Sequence, residues 1–337
     1  MMTTPDSSPF HGCSRTRELL PRLDTNPIRE RLLPYCRLTC GKVWEDPVRG
    51  HRVGVLDAAR AGDMEKLAAG ARIDCLIADP PYNIPVGGKQ SEALFHTESA
   101  SYLAFSERWI EAGLAVLAAD AHFYLWLGAD VRDGFQPLPD VMLLLRRYPT
   151  LHPRNFITVR NQRGYGTQAN WMWVRQELLH YAVGNPVFHV VYTDIPKVLA
   201  GYYKVVGGAR KDNLARGKSP YIRPGNVWID IQQVFYRMEE NVPGCYAQKP
   251  LKAIERILLS STDQGMNVAD PFAHSGTTLI AGERLGRRVF TADSDPVYAE
   301  ITIRRLERFR AEGLTGWQWQ SPFPEIDSAG PDGAPPR

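Results

Sequence analysis

Apolar positions along the chain recur with two periods, and their alternation lays out the elements. Ile73 to Ala78 is a short apolar run cut off by Asp79 and two prolines, which predicts a buried strand. Before it, His51–Asp57 reads as a short strand ending in an acid. Ala58–Ala69 follows as a helix with Met64 and Leu67 on one face. After it, Leu103, Ile110, Leu114 and Leu117 recur at helical spacing over residues 101–118. Ala121–Leu127 then predicts a strand, Val141–Arg147 a helix and Phe156–Val159 a strand. The pattern lapses and resumes at Gln248-Lys249-Pro250. Pro250 suits a first helical position, and Leu251, Ile254, Ile257 and Leu258 form the apolar face behind it. Met266–Asp270 is a strand, Pro271–Gly276 a turn, and Thr277–Leu285 a helix ended by Gly286. Arg288–Ala292 is a strand leading to Asp293, and a last helix starts at Pro296 with Ile301, Ile303 and Leu306. Strands alternating with helices predict an α/β fold with a mostly parallel sheet covered on both faces.

Composition divides the chain further. Residues 1–45, rich in Pro, Ser, Thr and Arg, read as a loosely ordered N-terminal arm, and 321–337, rich in Pro, Gly and acid, as a disordered tail. Between them, 46–160 and 241–320 are the two halves of one domain, with an insertion at 161–240. No internal repeat is evident. At 337 residues, with 44% hydrophobic and 23% charged, the chain has material for a full core. A net charge of +3 means that any affinity for nucleic acid comes from a local patch. No apolar stretch reaches membrane-spanning length and the start lacks a signal-peptide pattern, so a cytoplasmic protein without membrane contact is expected. Of five scattered cysteines, Cys75 reads as a core residue. His11, Cys13, Cys36 and Cys40 match no familiar zinc spacing, and no metal is expected.

Three stretches carry candidate chemistry. In Asp79-Pro80-Pro81-Tyr82, a strand ending in an acid and two prolines leaves a rigid loop with a carboxylate at its base and an aromatic ring at its tip. That suits holding a planar, hydrogen-bonding ring against a second substrate; the same residues also make a plain structural turn. The unit from Met266 to Asp293 has the layout of a nucleoside-cofactor site: strand, glycine-containing turn, helix, strand, acid. Asp293 follows Asp270 by 23 positions, near the roughly 20-residue spacing of a ribose-binding acid. Without G-x-G-x-x-G or a Walker lysine, a diphosphate is poorly provided for, and an amino-acid carboxylate fits better. Finally, Lys204, Arg210, Lys211, Arg216, Lys218 and Arg223 face the single acid Asp212, with Tyr202, Tyr203 and Tyr221 nearby. Such a segment suits phosphate tracking, against the plainer reading of a solvated basic loop.

Asp79-Pro80-Pro81-Tyr82, Gln248-Lys249-Pro250 and Asp270-Pro271-Phe272-Ala273-His274-Ser275-Gly276-Thr277-Thr278, in that order, resemble the blocks of β-class DNA amino-methyltransferases. The similarity runs from about His51 to Arg308. Arg287–Pro296 looks like the family's strand that ends on a ribose-binding acid. The resemblance implies a Rossmann-like, circularly permuted fold that uses S-adenosylmethionine (SAM). It implies Asp79, Pro80, Pro81 and Tyr82 as the catalytic loop that holds a flipped-out base. Asp79, Asp270, Phe272, His274, Ser275, Gly276, Thr277 and Thr278 line the cofactor, Asp293 binds its ribose, and Lys249 lies near its methionine end. Asp57 stands where the family has an adenine-binding acid, with Asp63 as a competitor on a helix surface. The region between the blocks implies double-stranded DNA as partner, contacted by the basic set from Lys204 to Arg223. Glu177 resembles an acid often found in this region, against a structural ion pair. The protein would be nucleoid-associated when bound to DNA. A homodimer and a separate restriction endonuclease stay open as further partners.

Asp at the head of the tetrapeptide favours adenine N6 as the target, with cytosine N4 as the near alternative. This chain departs from the family in having His274 and Leu56 where the family has Gly. His274 motivates the other alternative, a DNA-binding relative without activity. Methylation of protein glutamine or of RNA uses similar tetrapeptides, but there the cofactor block comes first.

Overall fold

The computed structural model describes residues 26–82, 99–128, 137–165, 168, 171–197, 203–212 and 218–328. The strands are β1 (Val43–Glu45), β2 (Arg52–Val55), β3 (Ile73–Ala78), β4 (Leu117–Leu127), β5 (His152–Tyr165), β6 (Trp173–Val183), β7 (Tyr203–Val206), β8 (Ala209–Asp212), β9 (Val227–Trp228), β10 (Asn267–Asp270) and β11 (Arg288–Asp293). The helices are α1 (Asn26–Leu32), α2 (Ala61–Ala68), α3 (Ser99–Val116), α4 (Pro137–Leu145), α5 (Leu251–Ser261), α6 (Thr277–Leu285), α7 (Pro296–Glu312) and α8 (Pro324–Ser328).

Among the described residues, nine strands form one sheet in the order β1-β2-β11-β10-β3-β4-β6-β5-β9. From β2 to β4 all neighbours are parallel. The late strand β10 lies between the early strand β3 and β11, which places the expected cofactor and catalytic blocks side by side at the carboxyl ends of adjacent strands. This is the circular permutation that the block order implied. In a parallel sheet that edge is where side chains and loops are free to meet a ligand.

Two apolar layers explain why these segments pair. Leu76, Phe123, Leu125, Leu127 and Leu179 face one side of the sheet, against Trp109 and Ile110 of α3 and Val141 of α4. Cys75, Ile77, Tyr124, Trp126 and Leu178 face the other, against Ile254, Ile257 and Leu258 of α5 and Leu279 of α6. The central strands read as continuous apolar runs because both faces are covered.

Three expected boundaries differ. The arm thought to be loose through residue 45 is held from Asn26 onward. Leu32 is fully buried with Val297, Ile301 and Phe323. Arg37 pairs with Glu300 and Glu307 of α7. The tail expected from Ser321 likewise begins packed: Phe323 and Ile326 close the same small core. Sparse apolar residues hid both segments, because each supplies only a few anchors to a surface made elsewhere. The expected insertion at 161–240 contains β6, which pairs on both sides inside the main sheet. The excursion proper leaves after Val183. His11 and Cys13 lie outside the described residues, as do 1–25 and 329–337; Cys75 is buried as expected. No helix among the described residues is long and apolar enough to cross a membrane.

Candidate active site

The site lies where β3, β4, β10 and β11 end. Pro80 and Pro81 stop β3 after Ala78 and leave Asp79 at the sheet edge, level with Trp126 of β4 by the pairing of Ala78 with Leu125. Both carboxylate oxygens of Asp79 are engaged. Oδ1 accepts from the Tyr82 hydroxyl at 2.6 Å, and Oδ2 accepts from Lys249 Nζ at 2.6 Å. The Lys249 ammonium also stands 5.3 Å from the ring centres of Tyr82 and of Trp126, which makes a cation–aromatic cluster around the carboxylate. Lys249, which the resemblance places near the methionine end of the cofactor, thus reaches the candidate catalytic acid. It arrives there because Pro250 caps α5 in an extended conformation and turns the preceding residue inward.

The cofactor block is fixed by hydrogen bonds at nearly every residue. Asp270 accepts from Phe272 N at 3.0 Å and from Thr278 Oγ1 at 2.6 Å, tying the end of β10 to the first turn of α6. Asp293 accepts from His274 N at 3.0 Å and Asp295 N at 2.9 Å. Enclosure in protein pushes the Asp270 carboxyl up to about 6 and the Asp293 carboxyl up to about 7, because burial penalises the charged form. Asp293 nevertheless keeps an accessible edge. The loop between them is left-handed at His274 (φ 45°) and Gly276 (φ 75°). At Gly276 the requirement is also steric, since a Cβ would meet Thr302 Oγ1 at 2.9 Å and Cα at 3.0 Å. His274 tolerates its conformation at modest cost. Its ring lies against Tyr298, with centroids 4.9 Å apart. Phe272 meets Trp109 edge-on at 5.4 Å. Asp79, Trp126, Lys249, Asp270 and Phe272–Thr278, except Gly276, line one cleft together with Ile77 and Ile254.

Asp57 sits just past β2, beside the end of β11, where Leu56 N donates to the Asp293 carbonyl at 3.0 Å. Its carboxylate is half exposed, caps Ala59 N at 2.9 Å and pairs with Arg60 at 3.3 Å. Asp63 is turned to a structural task, accepting from Asp57 N at 3.0 Å. Glu177 is fully buried, with Arg175 at 2.8 Å and Thr158 Oγ1 at 2.8 Å.

Of the basic set, Lys204, Arg210 and Lys211 are exposed on the β7–β8 hairpin, and Lys218 and Arg223 are exposed beyond it. Arg216 lies outside the described residues. The stem of this excursion is closed by backbone bonds from Thr193 N to Ile222 O, Ile222 N to Ile195 O and Lys197 N to Pro220 O. Lys252 of α5 anchors it through Asp194 and Asp230.

Two residues at the site escape a reading of spacing. Trp126 comes level with Asp79 and faces Lys249 only through strand register, which no local pattern reveals. Arg305 is fully buried in α7 and donates to Ser275 O at 2.8 Å, Thr277 Oγ1 at 3.1 Å and Glu240 O at 3.2 Å. Thr277 Oγ1 in turn bonds the Lys249 carbonyl at 3.2 Å. Arg305 is therefore a clamp joining the loop before α6 to the segment that carries Lys249. Its signal was an arginine at i+4 from Ile301 on the apolar face of a helix.

A family model described as DNA methylase matches residues 73–304. The type II methyltransferase M.HpaI of Haemophilus parainfluenzae is 26% identical over 235 residues, 70% of this chain and 68% of that protein. The DNA adenine methyltransferase YhdJ of Escherichia coli (strain K12) is 27% identical over 259 residues, 73% and 79% of the two chains. Among solved structures, TTHA0409 of Thermus thermophilus, a putative DNA modification methylase complexed with S-adenosyl-L-methionine, superposes with a TM-score of 0.50. It is 21% identical, the match covers 79% of this chain and 97% of that one, and the likeness shows the shared fold.

Proposed function

The chain belongs to the DNA methylase family, and from that premise we propose that it transfers a methyl group from SAM to the N6 amine of adenine in double-stranded DNA. The observation that carries the reading is the single cleft in which the Asp79–Lys249 pair and the Asp270–Thr278 loop meet. The residues present fit SAM. Asp293 offers a carboxylate edge for ribose hydroxyls, and Asp57 stands at the adjacent strand end for the adenine. A helix's first turn leaves N–H groups without a partner inside the helix, which suits a carboxylate, and that of α6 opens on the cleft at Thr277 and Thr278. SAM supplies an electrophilic methyl group carried on sulfur.

The rest of the chemistry belongs to the chain. An exocyclic amine on a base is a weak nucleophile because its lone pair is delocalised into the ring. Asp79 and the Pro80 carbonyl accept the two amine hydrogens, which draws the nitrogen toward a geometry that frees the lone pair. Asp79 Oδ1 is engaged by the Tyr82 hydroxyl, so an arriving amine takes over that acceptor as Tyr82 turns its ring onto the base. Lys249 stays on Oδ2 and keeps the carboxylate fixed in direction. An amine inside a duplex cannot reach this edge, so the base is flipped out and stacked on Tyr82. Exposed Lys204, Arg210, Lys211, Lys218 and Arg223 suit the phosphates. Incubation with unmethylated DNA and labelled SAM, followed by nucleoside analysis, tests the reading. N6-methyladenine is expected. N4-methylcytosine would transfer the same machinery to the other base, and no labelled nucleoside would overturn the activity.

A further inference from the structure

The sheet does not end level with the catalytic edge. Leu127 pairs with Glu177, one step past the level of Asp79; beyond that point β4 drops away, β9 follows β5 only as far as Val159, and from the Arg160–Arg175 pair outward β5 and β6 continue as a two-stranded ribbon. The four steps from Glu177 to Trp173 carry it roughly 13 Å further on the side of the candidate site. Arg160 and Arg175 are directly opposed on this ribbon, and a register shift follows between Arg160 and Tyr165. Like charges placed opposite each other destabilise a strand pair unless an anion lies between or above them. Arg175 is 57% exposed, with one edge held at 2.8 Å by buried Glu177, so its free edge has a set direction. Thr158, Arg160, Arg175 and Glu177 share one face of the ribbon by the alternation of the strands. At its far end Trp171 is 89% exposed and Met172 60% exposed.

A large aromatic and a thioether at the far end of a basic ribbon, beside the acid proposed to hold a flipped-out base, have the chemistry of a wedge flanked by cations. We propose that the β5–β6 ribbon is a second DNA-contacting element: Arg160 and Arg175 engage phosphates beside the target base, and Trp171 with Met172 enters the stack and holds the place the flipped base leaves. Apolar side chains inserted between base steps act in this way on other duplexes, exchanging base stacking for protein contact. Charge complementarity and continuity with the catalytic edge select duplex DNA as the occupant. The inference rests on the methyl-transfer reading and adds how the base is extruded.

The test uses the full chain and duplex oligonucleotides carrying the sequence found methylated in the product analysis. One duplex has the target base paired, and the other has an abasic site opposite it, so that no pair has to be broken. Trp171→Ala with Met172→Ala is expected to lower turnover about 10-fold or more on the paired duplex and at most about 2-fold on the abasic one. SAM binding by calorimetry is expected to match wild type, showing an intact fold. Arg160→Gln is expected to weaken both duplexes alike and to lower the salt slope of binding by about 1. Equal losses on the two duplexes, or no loss on either, would overturn the wedge while wild-type methylation stands. A wild type that methylates neither duplex would overturn the activity and the wedge together.

Discussion

The cofactor edge and the ribbon beside it are built by opposite means. At the cofactor edge, Asp270 accepts two hydrogen bonds from the loop and helix that follow it, Asp293 accepts one from that loop and one from Asp295, and Arg305 clamps the loop from behind. Little there has to move when a ligand arrives, which is the condition for a precise in-line geometry. On the ribbon and on the β7–β8 hairpin, like charges stand opposite each other: Arg160 with Arg175, and Lys204 with Lys211. Val205 and Val206 are exposed beside Gly207 and Gly208, whose positive φ values make the tight hairpin turn. An isolated hairpin of this kind is marginal by itself. The first region is braced from within, whereas in the second only Arg175 has an internal counter-charge, Glu177, and the proposed DNA contact would supply the rest.

The comparison can be broken from either side. The largest effect is expected at Asp79, where Asp79→Ala lowers methyl transfer by about 10³-fold or more while calorimetry finds SAM affinity within a few-fold of wild type. Near-normal turnover in that variant would remove Asp79 from catalysis. Gly276→Ala forces a side chain into a left-handed position against Thr302. It is expected to cost about 1–3 kcal/mol in denaturant unfolding and to weaken SAM binding.

Replacing Lys204 and Lys211 together by Ala reverses the pattern. Stability without DNA is expected to stay the same or rise by a few tenths of a kcal/mol, while the slope of log K against log salt falls by about 2. An unchanged slope would take both lysines off the phosphates. The raised carboxyls give a pH signature of the first region. A folded-state value above the unfolded one means stabilisation that is complete below about 4 and is lost as pH rises through about 6 to 7 for Asp270 and Asp293. The melting temperature of ligand-free wild type, relative to Asp293→Asn, should therefore fall between pH 4 and pH 8. The smallest effect is expected from His274→Gly. Residue 274 meets Asp293 through its backbone N–H, which glycine keeps, so SAM affinity should change by less than about 3-fold, while in folding stability the relief of strain is offset by unfolded-state entropy.

How much of this was legible beforehand depends on the range of the interaction concerned. The strand Ile73–Ala78, the helix Thr277–Leu285 and its stop at Gly286 match the apolar pattern residue for residue, because length, breakers and periodicity are local properties. The inner ends of arm and tail carry no local signal because Leu32 and Phe323 are single anchors whose partners lie on α7, far away in the chain. The strand β6 does not stand out from the expected insertion in the sequence because its membership of the sheet is decided by pairing with β4 and β5.

By itself the sequence determined the order of the blocks, the acid-proline-proline-tyrosine loop and the glycine at the left-handed turn, since each depends on residues a few positions apart. Only the tertiary structure decided that Lys249 grips Asp79 from 170 positions away, that Arg305 braces the cofactor loop, and that two opposed arginines and an exposed tryptophan rise beside the catalytic edge. Those contacts are fixed by strand register and helix packing, which sum weak preferences over the whole chain and leave no mark at any one residue.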